Sequence, residues 1–434
     1  MKQKNYLKIS EKIDISRILR IFLYALIFLQ PFNYFNTLRE ISFYCMLFFF
    51  SLKLVKEKEN IKIDFKDSTI IAIGILAVWS FIVSILGPYP IESINSLRKN
   101  LLIELVIFFV IITEFKTLQE LKPLFLTVIT SFFLVSILSI FERNPLEFFN
   151  FHLLNKTHKM FYGGYANHAT FYLPFIVCYI LAFKKLKWDK YLAISTLILG
   201  ILLVFFYNSR TTLIAIPTSI FIIFLLLKKY KILIFSFLIF IICIFMLISS
   251  KSDYFSKYKT LINPKTYITN QGLSNRLGVW KGALDIIKER PLIGYGYGWK
   301  KMAWVINDLN LTEYWKKYRI DSYNYYVIES HLSYGRVNPH NLVIQIIFEV
   351  GIIGLIIFLW MWISVIIKII KLGFLNNNSI IEIKNFAKGS LGILIAYGLI
   401  NITNGFWQEV YGNLIFFFIA SVLVIYRQVF IFKT

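Results

Sequence analysis

The chain has 434 residues, 57% of them hydrophobic and 18% aromatic, and its mean hydropathy of +0.65 excludes an ordinary soluble domain. A net charge of +23 would suit a nucleic-acid binder, but the basic residues cluster in short runs between apolar stretches, such as Lys228-Lys229-Tyr230-Lys231. That is the positive-inside pattern of a membrane protein, so the expected surroundings are membrane lipids and no nucleic-acid partner is expected.

In chain order, twelve apolar stretches of spanning length are predicted, at 17–35, 38–55, 69–87, 99–115, 121–141, 168–184, 190–207, 211–228, 231–249, 340–367, 386–403 and 412–430. Gln30-Pro31 and Arg39-Glu40 interrupt the first two. The N-terminus is Lys-rich and no small-residue cleavage site follows the first stretch, which therefore reads as an anchor. The expected fold class is an all-α, multi-pass protein of the bacterial inner membrane with both termini cytoplasmic. Residues 1–249 would form nine transmembrane helices, 250–339 one large periplasmic loop containing helices, and 340–434 the last three spans. Cys45, Cys178 and Cys243 all fall inside predicted spans, too scattered for a disulfide framework or a zinc site.

Three spans open at the outer face on polar signatures: Asn167-His168, Asn208-Ser209-Arg210-Thr211-Thr212 and Asn338-Pro339-His340-Asn341. Each presents unpaired N–H groups and a positive dipole end to that surface. Within the loop, a helix is predicted from Ser274 to Glu289, capped by Ser274, ended by Pro291, and burying a stripe of Leu277, Trp280, Leu284 and Ile287. Arg276 lies at its start with no carboxylate beside it in the sequence. Arg210 and Arg276 together make a candidate anion site, because a guanidinium fork matches phosphate oxygens in pairs; Arg336 could join them. The alternative for Arg210 is a side chain snorkelling at a helix end.

A turn rich in glycine follows, Pro291 to Trp299; its GxGxG spacing has no preceding strand and is not a dinucleotide fingerprint. The aromatics Trp304, Tyr314, Trp315, Tyr318, Tyr323, Tyr325, Tyr326 and Tyr334 could stack on sugars or rest on lipid headgroups. In the tenth span, Asn338 is expected to cap the helix, Pro339 to take its first position and His340 to fall in the first turn. The helix dipole would hold His340 neutral and ready to accept a proton, unless it is merely an interfacial residue at a helix end. His331, in irregular sequence, is a second candidate base. Glu349 stands nine positions beyond His340, half a turn around the helix, which suggests packing or a supporting role; Glu104 lies near the outer end of the fourth span.

Taken together, Arg276-Leu277-Gly278-Val279-Trp280, Pro291-Leu292-Ile293-Gly294-Tyr295-Gly296, and His340-Asn341 with Glu349-Val350-Gly351-Ile352-Ile353-Gly354-Leu355 resemble, in order and spacing, the O-antigen ligase/polymerase family of bacterial envelope enzymes. Ser209-Arg210 matches another recurrent element of that family. The resemblance implies a C-type glycosyltransferase fold and transfer of a glycan from undecaprenyl pyrophosphate to a hydroxyl of lipid A–core at the periplasmic face. It implies His340 as general base and Arg210 and Arg276 as pyrophosphate ligands, with Arg336, Asn341, His168 and Glu349 in support. The bare chemistry agrees, since a hydroxyl nucleophile needs a base and a departing pyrophosphate needs cations. No Asp-x-Asp pair occurs, so neither metal nor cofactor is expected, and one direct displacement would invert the anomeric centre. A polymerase of the same family, a protein O-oligosaccharyltransferase and a transporter of lipid-linked oligosaccharide are the alternatives.

Overall fold

The computed structural model describes residues 14–32, 34–57, 63–141, 164–183, 188–207, 209–249, 276–376 and 379–431. Among these the chain is helical, with no strand. The first nine stretches become Ile15–Phe28 (α1), Asn36–Lys56 (α2), Ser68–Leu86 (α3), Leu101–Glu114 (α5), Leu118–Phe141 (α6), Tyr165–Ala182 (α7), Trp188–Phe206 (α8), Arg210–Leu226 (α9) and Tyr230–Ser249 (α10), with an unforeseen short helix, Pro90–Lys99 (α4), between α3 and α5. The polar segment adds Arg276–Ile287 (α11), Met302–Asp308 (α12) and Leu311–Tyr318 (α13). The last three stretches become Leu342–Ile370 (α14), Ile381–Ile400 (α15) and Glu409–Phe430 (α16). Among the described residues, five helices are long and apolar enough to cross a membrane: Ser68–Leu86, Leu118–Phe141, Trp188–Phe205, Leu342–Leu375 and Glu409–Phe430.

Helix α16 is the hub. Every residue from Gly412 to Ile425 is buried, as expected of a helix apolar all round. Phe417 meets Phe125 edge-on at 5.9 Å, and Phe125 stacks on Phe386 at 5.4 Å, tying α16, α6 and α15 together. Helix α1 ends earlier than predicted, at Phe28, because Gln30 turns its amide back to the Leu26 carbonyl at 3.0 Å and gives its oxygen to Asn413 at 3.0 Å. Buried Lys368 is satisfied by Asp67 at 3.1 Å and Thr69 at 2.8 Å, as a charge in such a place must be.

The polar segment builds a second, smaller core from Val279, Ile286, Tyr295, Trp315, Tyr326 and Val337, against Phe348 of α14. The buried face of α11 is Val279, Ala283, Ile286 and Ile287; Leu284 is exposed, so the predicted stripe is corrected by roughly a third of a turn. Gly278 and Gly282 decide this, because they let Asp321 and Tyr326 approach where a side chain would collide. Trp315 and Tyr326 are fully buried and stacked at 5.0 Å, which makes them core and not sugar platforms.

The long helix α14 is broken at Gly351, whose φ of 72° leaves the helical region. Into that break goes the glycine-rich turn. Ile352 N–H donates to the Pro291 carbonyl at 2.9 Å, and Tyr295 N–H donates to the Phe348 carbonyl at 2.8 Å. The interruption thus satisfies backbone groups that would otherwise be stranded among apolar side chains.

Candidate functional site

The start of α14 differs from the sequence expectation. Asn341, not Asn338, caps the helix, its side chain accepting from Ile344 N–H at 3.1 Å. His340 therefore lies one residue outside the helix, in the left-handed region with φ 50°. Asn338 holds that turn by accepting His340 N–H at 2.7 Å, an Asx-type turn. Trp280 Nε1 donates to the His340 carbonyl at 3.4 Å, and the Tyr325 ring meets the imidazole edge-on at 5.9 Å. Tyr325 also donates its hydroxyl to the Asn338 carbonyl at 2.9 Å.

Arg276, at the first position of α11, stands close enough to His340 to act on its protonation, and Arg210, at the first position of α9, is close enough to act on Arg276. Burial lowers the His340 pKa to about 3, and Arg276 pushes it the same way. Desolvation and a neighbouring cation both favour the neutral imidazole. Burial also lowers Arg276; Tyr325 opposes that shift and Arg210 adds to it. A guanidinium acting on both a second guanidinium and a neutral imidazole suits a polyanion with a hydroxyl group beside it.

Helix α9 is fixed to the same place by Thr211, whose hydroxyl meets that of Thr403 at 3.0 Å. Asn341 Nδ2 donates to the Ile402 carbonyl at 3.0 Å, so the link between α15 and α16 joins both helix starts. Sequence reasoning missed Thr403 and the individual part of Tyr325. The tyrosine-rich run was visible, but nothing in its spacing marks which ring faces His340.

The other candidates have surroundings of their own. Glu349 is fully buried and accepts from Gly298 N–H at 2.6 Å, Gln345 Nε2 at 2.8 Å, Trp407 Nε1 at 3.4 Å and Gln408 Nε2. It clasps the glycine-rich turn, α14 and the α15–α16 link. Buried Lys301 completes that turn by donating to the carbonyls of Gly296, Tyr297 and Gly298 at 2.6, 2.8 and 2.8 Å. His168 is buried in α7 and stacks on Tyr411 at 4.9 Å. Arg336 and His331 are both exposed, and His331 has a φ of 51°. Ser274 and Asn208 lie outside the described residues. Among the described residues no group of His, Cys, Asp and Glu is arranged to hold a metal ion.

Residues 169–359 match a family model described as O-antigen ligase. Arg210, Arg276, His340, the glycine-rich turn and Gly351 all lie within that segment. The resemblance to the O-antigen ligase family is thereby shown. Two curated relatives of this O-antigen ligase-like chain, from Rickettsia felis and Rickettsia conorii, carry the name "Putative polysaccharide ligase". They are 28% and 29% identical over 148 residues, 34% of this chain. The match spans only 31% and 30% of those relatives' length.

Proposed function

We propose that the protein is a membrane glycosyltransferase, an O-antigen ligase that moves a glycan from undecaprenyl pyrophosphate onto a hydroxyl of lipid A–core at the periplasmic face of the inner membrane. The observation that carries this reading is the convergence of Arg210, Arg276 and His340 from three separate stretches of the family-matched segment. In this reading all twelve apolar helices cross the membrane, residues 250–339 are the periplasmic loop between the nine-helix and three-helix portions, and the fold is C-type.

His340 takes the proton of the acceptor hydroxyl as its oxygen attacks the anomeric carbon. The bond from that carbon to the pyrophosphate oxygen breaks, and undecaprenyl pyrophosphate leaves with the electron pair. Arg210 and Arg276 bind the pyrophosphate and stabilise the charge that develops on it. A bound pyrophosphate would also offset the Arg276 charge, raising the proton affinity of His340 when a base is needed. One displacement inverts the anomeric centre.

A polymerase, in which the acceptor is a second lipid-linked repeat, is the second reading. A cavity carrying Arg39, Arg98 and Lys99 favours it, because a polymerase needs two anion-compatible surfaces. A transporter is the third reading; Arg210 at the first position of α9 and His340 just before α14 favour the enzyme over it. The test is reconstitution of purified protein with undecaprenyl-pyrophosphate glycan. Glycosylated lipid A–core is the expected product. A ladder of lengthening lipid-linked products in the absence of lipid A–core would replace ligase by polymerase.

A further inference from the structure

Separate from the His340 cluster, the structure contains a cavity of about 580 Å³, within the size range of small-molecule sites. Its walls come from the start of α2, the end of α4, the start of α16 and the segment following the glycine-rich turn. Arg39, Arg98, Lys99 and Lys300 bring positive charge to it; Glu40, Glu92 and Glu409 bring negative charge. Two of those carboxylates are already engaged, Glu409 by Lys300 at 2.7 Å and Glu92 by the Tyr334 hydroxyl. The two guanidinium groups hydrogen-bond to neutral partners, Arg98 to the Tyr44 hydroxyl at 2.7 Å and Arg39 to the Asn36 side-chain oxygen, while Glu409 and Glu40 also act on Arg39 through charge. A second feature points to a ligand: Asn413, 7% exposed, lines the cavity, and its Oδ1 has no hydrogen-bond partner among the described residues. A buried acceptor atom of that kind calls for a donor such as a sugar hydroxyl.

One chain segment runs from the cavity wall to the candidate active site. The link between α15 and α16 touches Asn341 at Ile402 and forms the cavity wall at Gln408, whose amide is held by Glu349. Six peptide units separate Ile402 from Gln408, so those points are at most about 20 Å apart.

We propose that this cavity is the acceptor site, holding a phosphate-bearing sugar through Arg39 and Arg98 while Asn413 accepts a sugar hydroxyl. The proposal rests on the glycosyl-transfer reading and adds the chemistry of its second substrate. The phosphate could belong to lipid A–core or to a second undecaprenyl-pyrophosphate glycan, and both are bound by the same forks.

The test measures binding to purified full-length protein in nanodiscs, wild type against Arg39→Gln/Arg98→Gln. The probes are lipid A–core, enzymatically dephosphorylated lipid A–core, undecaprenyl-pyrophosphate glycan and phosphatidylglycerol. The double variant should bind phosphorylated lipid A–core at least tenfold more weakly, dephosphorylation should weaken wild-type binding similarly, and one equivalent of the undecaprenyl donor should bind unchanged. That unchanged equivalent also reports correct folding. If it is lost, the single variant Arg98→Gln, at an exposed position, carries the same comparison. A second equivalent of undecaprenyl-pyrophosphate glycan that disappears in the variant would keep the cavity as an acceptor site and overturn the ligase reading alone. Equal binding of lipid A–core to wild type and variant, indifference to dephosphorylation, or displacement of the glycan by phosphatidylglycerol would overturn the proposal itself.

Discussion

The carbonyl oxygen of Leu292 occupies the space where a Cβ on Gly351 would stand, so the break in α14 and the turn lodged in it require each other. Gly351 also has a φ of 72°, which costs a side chain about 1–3 kcal/mol before any collision. Gly351→Ala should therefore destabilise the protein by more than that strain alone, read as a lower melting temperature in detergent. Gly398→Ala, with open space around it, is the control and should melt like wild type.

Glu349 is an acceptor for several N–H donors at once. Glu349→Gln replaces one accepting oxygen with a donor and leaves at least one buried N–H unpaired, at a cost of about 1–3 kcal/mol. Melting should fall, and hydrogen exchange at the Gly298 amide should accelerate. Unchanged exchange there would mean the clasp is not what holds the turn.

His340→Ala should fold and insert normally while losing glycan transfer by about two to four orders of magnitude, the usual range for a missing general base. His331→Ala should retain transfer. Near wild-type turnover by the His340 variant would remove the base assignment.

Because burial and Arg276 both disfavour the imidazolium, His340 should remain neutral as pH falls, taking up a proton only near pH 3. Protonation of this residue in the substrate-free protein should therefore impose no acid limb on kcat/KM between pH 5 and 7. Arg276→Gln removes one of the two causes and should move the His340 titration upward, as measured by NMR of labelled histidine. Adding undecaprenyl pyrophosphate to wild type should move it the same way by offsetting the arginine charge. A titration indifferent to both changes would contradict the proximity argument.

Arg210→Lys and Arg276→Lys keep the charge but lose the paired donors, so each should restore little of the activity lost in the alanine variants. Turnover of the wild type should survive EDTA. Loss on chelation with recovery on added magnesium would show that arginines alone do not carry the leaving group.

The helices were legible in the sequence because lipid-soluble stretches declare themselves by length and hydropathy, and every predicted stretch with described residues is helical. The motif residues were legible as types: two arginines at helix starts, a histidine after Asn-Pro, glycines in a turn. Their mutual positions were not. The cap moved from Asn338 to Asn341 because the Asn338 side chain turned to the His340 amide, a choice local propensity leaves open. The buried face of α11 rotated because Gly278 and Gly282 admit a neighbouring helix, which periodicity alone cannot reveal. Sequence by itself determined an apolar helical chain with a polar segment bearing the candidate chemistry. Only the tertiary structure brought Tyr325 to His340, seated the glycine turn in the break at Gly351 and gathered Arg39, Arg98 and Asn413 around one cavity. Those are contacts between residues far apart in the chain, fixed by packing, and no local pattern encodes them.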